Sequence, residues 1–151
     1  FGGYMTCMAL TYGSVIFTHV IANAAVIDWQ LYDTHYTERF MDTPQENPEG
    51  YKITAVMTYA DKYKGLLRIV HGTSDDNVHM QNSIQLINKL QESKKHFEFM
   101  IYPGERHGIG ANSSNKAQHN RNETYEFYYK NLLNKPMPSV FWDGSSQKRA
   151  F

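Results

Sequence analysis

The sequence predicts an α/β fold in which a mostly parallel sheet is flanked by helices. Three short apolar runs suited to strands alternate with four segments of helical spacing along the 151 residues. A sheet of three parallel strands is small for this class, and one edge of it would carry unpaired backbone groups. We therefore expect an incomplete fold, the second half of a larger sheet, with residues 1–142 in the folded portion and 143–151 as a polar, disordered tail.

The first third of the chain contains one predicted helix and one predicted strand. Apolar residues recur at helical spacing over residues 3–12, and Gly13 is suited to ending that helix. Small and β-branched residues over 19–26 predict a strand buried on both faces. Aromatic residues are dense over 29–41, and the turn-forming residues of DTPQENPEG predict a loop over 42–50.

The remaining elements alternate in the same way. A helix is predicted over residues 53–63, followed by a strand over 66–70 that ends in a His-Gly pair. The next helix, over 79–93, precedes a strand of alternating polarity over 97–102, and the last helix covers 116–133. The apolar face of the helix over 79–93 is predicted from Met80, Ile84, Ile87 and Leu90.

The composition excludes several classes of function. The 15 basic and 15 acidic side chains balance, so charge gives no reason to expect a nucleic-acid or anionic-membrane partner. A single cysteine, Cys7, excludes an internal disulfide and a zinc site of several cysteines, and its place in the first helix indicates packing. His71 and His79 are eight residues apart and no HExxH pattern exists, so we predict no metal and no cofactor.

Polar side chains follow two neighbouring predicted strands, at the edge where function gathers in parallel sheets. Asp75 and Asp76 follow the second strand, and His107 follows the third. An acid and then a histidine in this order is typical of α/β-hydrolases, whose chain order is Ser…Asp…His; the acid orients the imidazole that moves the nucleophile's proton. Spacing alone also allows another interpretation, with Asp76 or Asn77 as a helix cap and His107 in a surface turn.

The nucleophile of such an enzyme stands on a sharp Gly-x-Ser-x-Gly turn between a strand and a helix. The chain begins Phe1-Gly2-Gly3, directly before the first predicted helix, and none of its nine serines lies in such a turn. We therefore expect the nucleophile serine immediately before Phe1, outside these 151 residues.

Three stretches of the sequence carry a resemblance to one family. They are FGGYMT over residues 1–6, WQLYDTHYTERFM over 29–41, and HGTSDDNVHMQNS over 71–83 followed by ERHGI over 105–109. Up to about residue 133, the chain resembles the C-terminal part of the catalytic domain of the prolyl oligopeptidase family of serine peptidases, most closely in its dipeptidyl peptidase IV branch. The resemblance implies the C-terminal half of an α/β-hydrolase fold.

The resemblance also implies a role for each candidate site residue. Asp75 matches the triad acid and His107 the base, which leaves Asp76 a structural role as a cap. The backbone N–H of Phe1 matches one donor of the oxyanion hole, and Asn77 matches a polar contact to the substrate backbone. The pocket that accepts proline matches six residues: Phe1, Val26, Trp29, Tyr32, Tyr36 and Val78.

The aromatic part of this pocket can also be judged from spacing. Trp29, Tyr32 and Tyr36 are three and four residues apart, so one helical segment would turn them to one side. Flat aromatic walls suit a compact, rigid proline ring. Spacing without the resemblance favours a place in the core for all three.

The resemblance implies a serine exopeptidase that releases Xaa-Pro dipeptides from peptide N-termini, acts on substrates with penultimate proline or alanine, and needs no cofactor. Members of the family carry a β-propeller before the hydrolase domain, commonly dimerise, and are exported, periplasmic or at the cell surface. Because the propeller and the nucleophile are expected outside the chain, we expect the 151 residues alone to be inactive. The alternatives are another peptidase of the family, and a non-catalytic homologue that acts as a binding protein.

Overall fold

Three parallel strands form one sheet in the computed structural model, which describes residues 1–111 and 113–142. The strands are β1 (His19–Asn23), β2 (Leu66–Gly72) and β3 (Phe97–Tyr102), and they lie side by side in that order. The predicted α/β class with a parallel sheet is therefore confirmed. The tail predicted for 143–151 lies outside the described residues.

The chain divides into two compact units, Phe1–His107 and Gly108–Phe151. The first unit contains the sheet and four helices, α1 (Gly2–Thr11), α2 (Thr34–Met41), α3 (Pro48–Thr54) and α4 (Gln81–Glu92), with 3₁₀ turns at Trp29–Leu31 and Val56–Lys62. The described part of the second unit contains α5 (Ser114–Asn131) and a 3₁₀ turn at Ser139–Phe141. None of the helices in the described part of the chain has the length and hydropathy of a bilayer span.

The central strand, β2, is the most buried part of the sheet. Leu67 pairs with Val20 of β1 on one side and with Phe97 of β3 on the other, so both edges of β2 are hydrogen-bonded. Leu67 and Ile69 are at most 2% exposed. They pack in one hydrophobic cluster with residues of α1, β1, α4 and the segment after α3. This cluster holds β2 in place, and the loop that follows β2 carries part of the candidate site.

The start of α1 approaches the end of β1 so closely that only glycine fits at position 3. A Cβ atom on Gly3 would lie 2.4 Å from the carbonyl oxygen of Asn23 and 2.8 Å from Cα of Ala25, whereas one on Gly2 would meet nothing within 4 Å. Both of the close atoms belong to the backbone, so neither can move aside by a change of rotamer.

Replacing Gly3 with alanine should therefore lower the free energy of unfolding by about 1–3 kcal/mol, because α1 or the chain after β1 must shift. Gly2→Ala is the matched control and should change it by less than ~1 kcal/mol, since alanine there meets no neighbour. Urea unfolding followed by circular dichroism measures both. Equal stability of the two variants would show that the close approach is wrong.

The loop predicted over 42–50 is partly wrong, because α3 begins inside it. The Asn47 side chain accepts a hydrogen bond from the backbone N–H of Gly50, and Pro48 occupies the first turn, where its missing N–H leaves no bond unmade. The Asn-Pro pair is therefore a helix start rather than the middle of a loop.

The helix predicted over 53–63 is partly wrong, because a 3₁₀ helix covers Val56–Lys62 but no single helix runs through the segment. α3 ends at Thr54, and Ala55 is extended with ψ 127°. The backbone N–H of Val56 donates to the carbonyl of Ile27 (2.8 Å), a tertiary bond that replaces the helical one. The chain then continues as a 3₁₀ turn whose Val56 and Ala60 side chains are fully buried.

The first strand is shorter than the 19–26 predicted. It ends at Asn23, because Ala24 takes φ 41° and turns the chain out of the sheet while its N–H still donates to Val70 of β2 at 2.9 Å. Burial on both faces holds in part: Ile21 and Ala22 are buried, while the first and last residues of the strand are not.

The apolar face predicted for α4 is confirmed at Leu90, which is fully buried, and at Ile87, which packs against the core, but it is wrong at Ile84. The helix begins at Gln81, and Ile84 is 49% exposed. Its buried residues are Asn82, Ser83, Leu86 and Leu90. Two polar side chains replace apolar ones on this face because each of them has hydrogen-bond partners inside the protein, which are described below.

Candidate active site

The loops after β2 and β3 are joined at the edge of the sheet. The backbone N–H of Ser74 donates to the carbonyl of Glu105 at 2.9 Å. Gly72 permits this contact, since a Cβ there would lie 2.2 Å from the same carbonyl oxygen. The structure therefore brings together Asp75, in the first loop, and His107, in the second.

Each oxygen of the Asp75 carboxylate has its own set of partners, and the side chain is fully buried. Oδ1 accepts hydrogen bonds from the backbone N–H groups of Asn77 and Val78, both at 3.0 Å. Oδ2 lies 2.9 Å from Nδ1 of His107 and 3.3 Å from Nε2 of His71. These contacts fix the orientation of the carboxylate without any ligand.

The His107 ring is held on one side and exposed on the other, with 46% of its side chain accessible. Because a carboxylate oxygen only accepts, Nδ1 carries the proton of their hydrogen bond, and Nε2 presents a lone pair. Asp75 is the only hydrogen-bond partner of His107 within residues 1–111 and 113–142. An imidazole oriented by a carboxylate in this way is suited to act as a general base.

Cys7 is unsuited to act as the nucleophile. Its side chain lies in the core on α1, only 1% exposed, and burial raises the pKa of its thiol to about 12. The thiol therefore stays protonated and inert at neutral pH. The packing role predicted for Cys7 is confirmed.

Four aromatic rings stand together beside the start of α1. The ring centroid of Trp29 lies 6.0 Å from that of Phe1, 5.9 Å from that of Tyr32 and 6.1 Å from that of Tyr36. Trp29 is buried, as the core interpretation predicts, but Phe1 is 72% and Tyr36 42% exposed. The side of the cluster that contains Trp29 is thus part of the core, and the side that contains Phe1 and Tyr36 is exposed.

The three aromatics after β1 do not share one helix. Trp29 lies in a 3₁₀ turn, Tyr32 is extended, and Tyr36 lies in the first turn of α2. Asp28 caps the 3₁₀ turn and Asp33 caps α2, and the carboxylate of each accepts a hydrogen bond from a backbone N–H. Two short capped segments, rather than helical spacing, bring the rings together.

Two further predicted pocket residues, Val26 and Val78, are each 4% exposed and belong to the same buried cluster as Trp29. A cleft of about 330 Å³ opens beside this cluster. It is lined by Phe1, Tyr4, Trp29, Tyr36, Thr37, Phe40, Met41 and Thr54.

Asn77 is oriented by a neighbouring tyrosine. The hydroxyl of Tyr32 donates to Asn77 Oδ1 at 2.8 Å, which leaves the amide nitrogen of Asn77 as the group able to donate to a ligand. Burial raises the pKa of the Tyr32 hydroxyl, and the nearby charge of Asp33 raises it further. The hydroxyl therefore remains a donor throughout the neutral range.

The capping role predicted for Asp76 is wrong. Its exposed carboxylate pairs with Nη1 of Arg106 at 3.1 Å, and the residue before α4, Met80, makes no side-chain cap. Asp75, not Asp76, accepts the backbone N–H groups of this turn. An exposed pair of this kind contributes about 1 kcal/mol or less.

Sequence reasoning missed buried polar residues behind the site. The Asn82 side chain accepts from the backbone N–H of Ile27 and donates to the carbonyl of His79, both at 3.1 Å. Ser83 and His71 hydrogen-bond each other. The available signal was the polar pair Asn82-Ser83 within an otherwise amphipathic helix.

The described residues contain no group of three His, Cys, Asp or Glu side chains placed to hold a metal ion.

Comparison with known proteins gives matches that cover most of the chain. The sequence model of the prolyl oligopeptidase family matches residues 1–135. A probable dipeptidyl-aminopeptidase B of Coccidioides posadasii is 42% identical over 125 residues, which are 80% of this chain and 14% of that protein. Dipeptidyl peptidase 4 of Sus scrofa is 42% identical over 119 residues, which are 77% of this chain and 16% of that protein.

A solved structure gives the same result. The crystal structure of dipeptidyl peptidase 4 from Porphyromonas gingivalis superposes with a TM-score of 0.83 at 40% identity, over 87% of this chain and 18% of that chain. The predicted α/β-hydrolase fold is confirmed. The chain spans only 14% and 16% of the length of these two curated relatives.

Proposed function

The chain belongs to the prolyl oligopeptidase family, and from that premise we propose that it is part of a serine peptidase of the dipeptidyl peptidase IV type. The enzyme releases Xaa-Pro dipeptides from the N-termini of peptides that carry proline second, and Xaa-Ala dipeptides where alanine takes that place. The observation that carries the proposal is the 2.9 Å hydrogen bond between His107 Nδ1 and the buried Asp75 carboxylate, in two joined loops.

The chemistry follows from the free nitrogen of His107. A serine Oγ attacks the carbonyl carbon of the second residue while Nε2 takes the hydroxyl proton. Nε2 then delivers that proton to the leaving amine, and the dipeptide remains as an ester on the serine. Water then loses a proton to Nε2 and attacks the ester carbonyl; the bond to serine Oγ breaks, Oγ takes that proton back, and the dipeptide leaves as a free acid. Asp75 stabilises the imidazolium formed in each step without taking a proton.

In this proposal the nucleophile serine stands immediately before Phe1. The support is local: α1 begins at Gly2, and Gly3 lies against the backbone of Asn23, as a helix does after a sharp strand-to-helix turn. With Phe1 joined to that serine, its N–H becomes an amide donor and forms one part of the oxyanion hole.

The proline ring of the substrate occupies the apolar pocket beside these groups. Its walls are Phe1, Val26, Trp29, Tyr32, Tyr36 and Val78. The amide nitrogen of Asn77 donates to the substrate backbone, because Tyr32 already occupies its oxygen. The rigid ring of proline loses little conformational entropy when it binds between fixed aromatic walls.

Replacing Tyr36 with alanine should lower kcat/KM for an Ala-Pro substrate by roughly tenfold or more, because the ring that packs on Trp29 and Tyr32 is lost. The loss for an Ala-Ala substrate should stay below about threefold, since alanine makes little contact with that ring. Tyr12→Ala, at the far end of α1, is the matched control. An equal loss on both substrates would show that Tyr36 is not a wall of the proline pocket.

The rest of the protein supplies what the 151 residues lack. A β-propeller that precedes the hydrolase domain in the same chain grips the free amino terminus of the substrate, and two copies pair as a homodimer. We place the enzyme outside the cytoplasm, in the periplasm or at the cell surface.

A chromogenic Gly-Pro dipeptide tests the proposal in two proteins. One is the 151-residue chain, and the other is the longer protein of the proposal, which adds the propeller and the serine before Phe1. The longer protein should hydrolyse it, and the 151-residue chain should not, because no serine of the chain lies in a nucleophile turn. Turnover by the short chain that titrates with a serine-directed inhibitor would contradict the second expectation. Absence of turnover by the longer protein would contradict the first and favour a binding protein.

A further inference from the structure

A fully buried histidine lies beneath the loop that carries Asp75. His71 is the penultimate residue of β2, it is 0% exposed, and both of its ring nitrogens have partners. Nδ1 lies 2.7 Å from Oγ of Ser83 on α4, and Nε2 lies 2.8 Å from the carbonyl oxygen of Val78. Nε2 also lies 3.3 Å from Oδ2 of Asp75, the oxygen that receives the hydrogen bond of His107.

The partners of His71 decide which nitrogen carries the proton. The Val78 carbonyl only accepts, so Nε2 carries the proton and donates it to that carbonyl, while Oδ2 of Asp75 lies 3.3 Å from the same nitrogen as a close electrostatic contact. In a neutral ring Nδ1 is then an acceptor, and the hydroxyl of Ser83 must donate to it. Ser83 itself is 1% exposed, so water does not compete for this bond.

A neutral His71 suits the reaction better than a charged one. His107 becomes a cation when it takes the proton of the nucleophile, and the Asp75 carboxylate stabilises that cation. A second imidazolium at the same oxygen would repel the first and share its counter-ion. A neutral N–H beside Oδ2 instead leaves the negative charge of the carboxylate to His107.

We infer that His71 is a positioning residue for Asp75, and that Ser83 sets its tautomer; this inference rests on the proposed function. Nε2 of His71 donates to the carbonyl of Val78, a wall of the proline pocket, and the backbone N–H of Val78 donates to Oδ1 of Asp75. Ser83 connects the same ring to the first turn of α4. A single buried ring thus contacts both the acid of the triad and the wall of the pocket.

Three variants of the longer protein test this role by kinetics on a Gly-Pro substrate, with active sites titrated by a serine-directed inhibitor. Ser83→Ala and His71→Leu should lower kcat roughly 10- to 100-fold with KM within about threefold. His71→Gln should recover most of the loss, because its amide nitrogen can donate where Nε2 does. Ser93→Ala, at the other end of α4, is the control and should match the wild type.

The tautomer is measured separately by NMR of ring-15N histidine in the same protein. We expect His71 with a protonated Nε2 and an unprotonated Nδ1 at neutral pH, and a changed Nδ1 signal in Ser83→Ala. This measurement needs no turnover, so it stands even if the protein hydrolyses no peptide and the proposed function fails.

Two results would overturn the inference. One is a His71 ring protonated at Nδ1, alone or with Nε2. The other is an unchanged kcat in Ser83→Ala, the variant that removes a single oxygen and decides the matter if His71→Leu does not fold. A purely structural role would lower the yield and the melting temperature without lowering kcat per titrated site, and glutamine would not restore it.

Discussion

Replacing His107 with alanine in the longer protein should lower kcat by roughly three orders of magnitude or more while KM changes little. The reason is the geometry of the ring. Its Nδ1 is bound to a buried carboxylate at 2.9 Å and its Nε2 is the one nitrogen left to move a proton. In the proposed mechanism the substrate binds to the proline pocket and to Asn77, which the substitution leaves in place.

A second histidine provides the control for this measurement. The side chain of His119 on α5 is 47% exposed, close to the 46% of His107, so His119→Ala removes a ring of similar accessibility. Its kcat should stay within about twofold of the wild type, as for most surface substitutions. A mild loss in His107→Ala would show that another group is the base.

Asp75→Asn should lower kcat by about four orders of magnitude although the two side chains have nearly the same shape. The carboxylate accepts at both oxygens: from two backbone N–H groups at Oδ1, and from His107 at Oδ2. An asparagine oxygen can serve only one of these positions. If it keeps the backbone bonds, its NH₂ group faces Nδ1 and forces the proton of His107 onto Nε2, where no lone pair remains for the nucleophile.

The adjacent aspartate is the matched control. Asp76 is exposed and pairs with Arg106 at the surface, so Asp76→Asn should change kcat by less than about twofold. Steady-state kinetics on both variants, with the melting temperature as a check of folding, give the comparison. Similar losses of kcat in the two variants would show that catalysis depends on negative charge near the loop and not on the hydrogen bond to His107.

The arrangement of the loops could be predicted because it follows from topology. Parallel strands end at the same edge of a sheet, so residues after β2 and β3 had to lie near each other once the strands were recognised. The apolar runs of those two strands were unambiguous in the sequence. The bond between Asp75 and His107 needs only this placement and a short loop.

Positions that depend on hydrogen bonds across the chain could not be predicted. Asn82 and Ser83 are buried on α4 because they have partners outside the helix: Ile27, 55 residues away in the sequence, and His71 in β2. Hydrophobic spacing therefore found Leu90 and Ile87 but placed Ile84 on the buried face and missed Asn82 and Ser83. Likewise, the tertiary bond from Val56 ended a helix that local propensity favoured.

The most direct test of a serine triad completed by Asp75 and His107 is covalent labelling of the longer protein with a fluorophosphonate, followed by mass spectrometry of the modified peptide. We expect a single labelled serine immediately before Phe1, and labelling at least about a hundredfold slower in His107→Ala. No labelling of the folded protein, or a labelled residue elsewhere in the chain, would contradict the proposed triad.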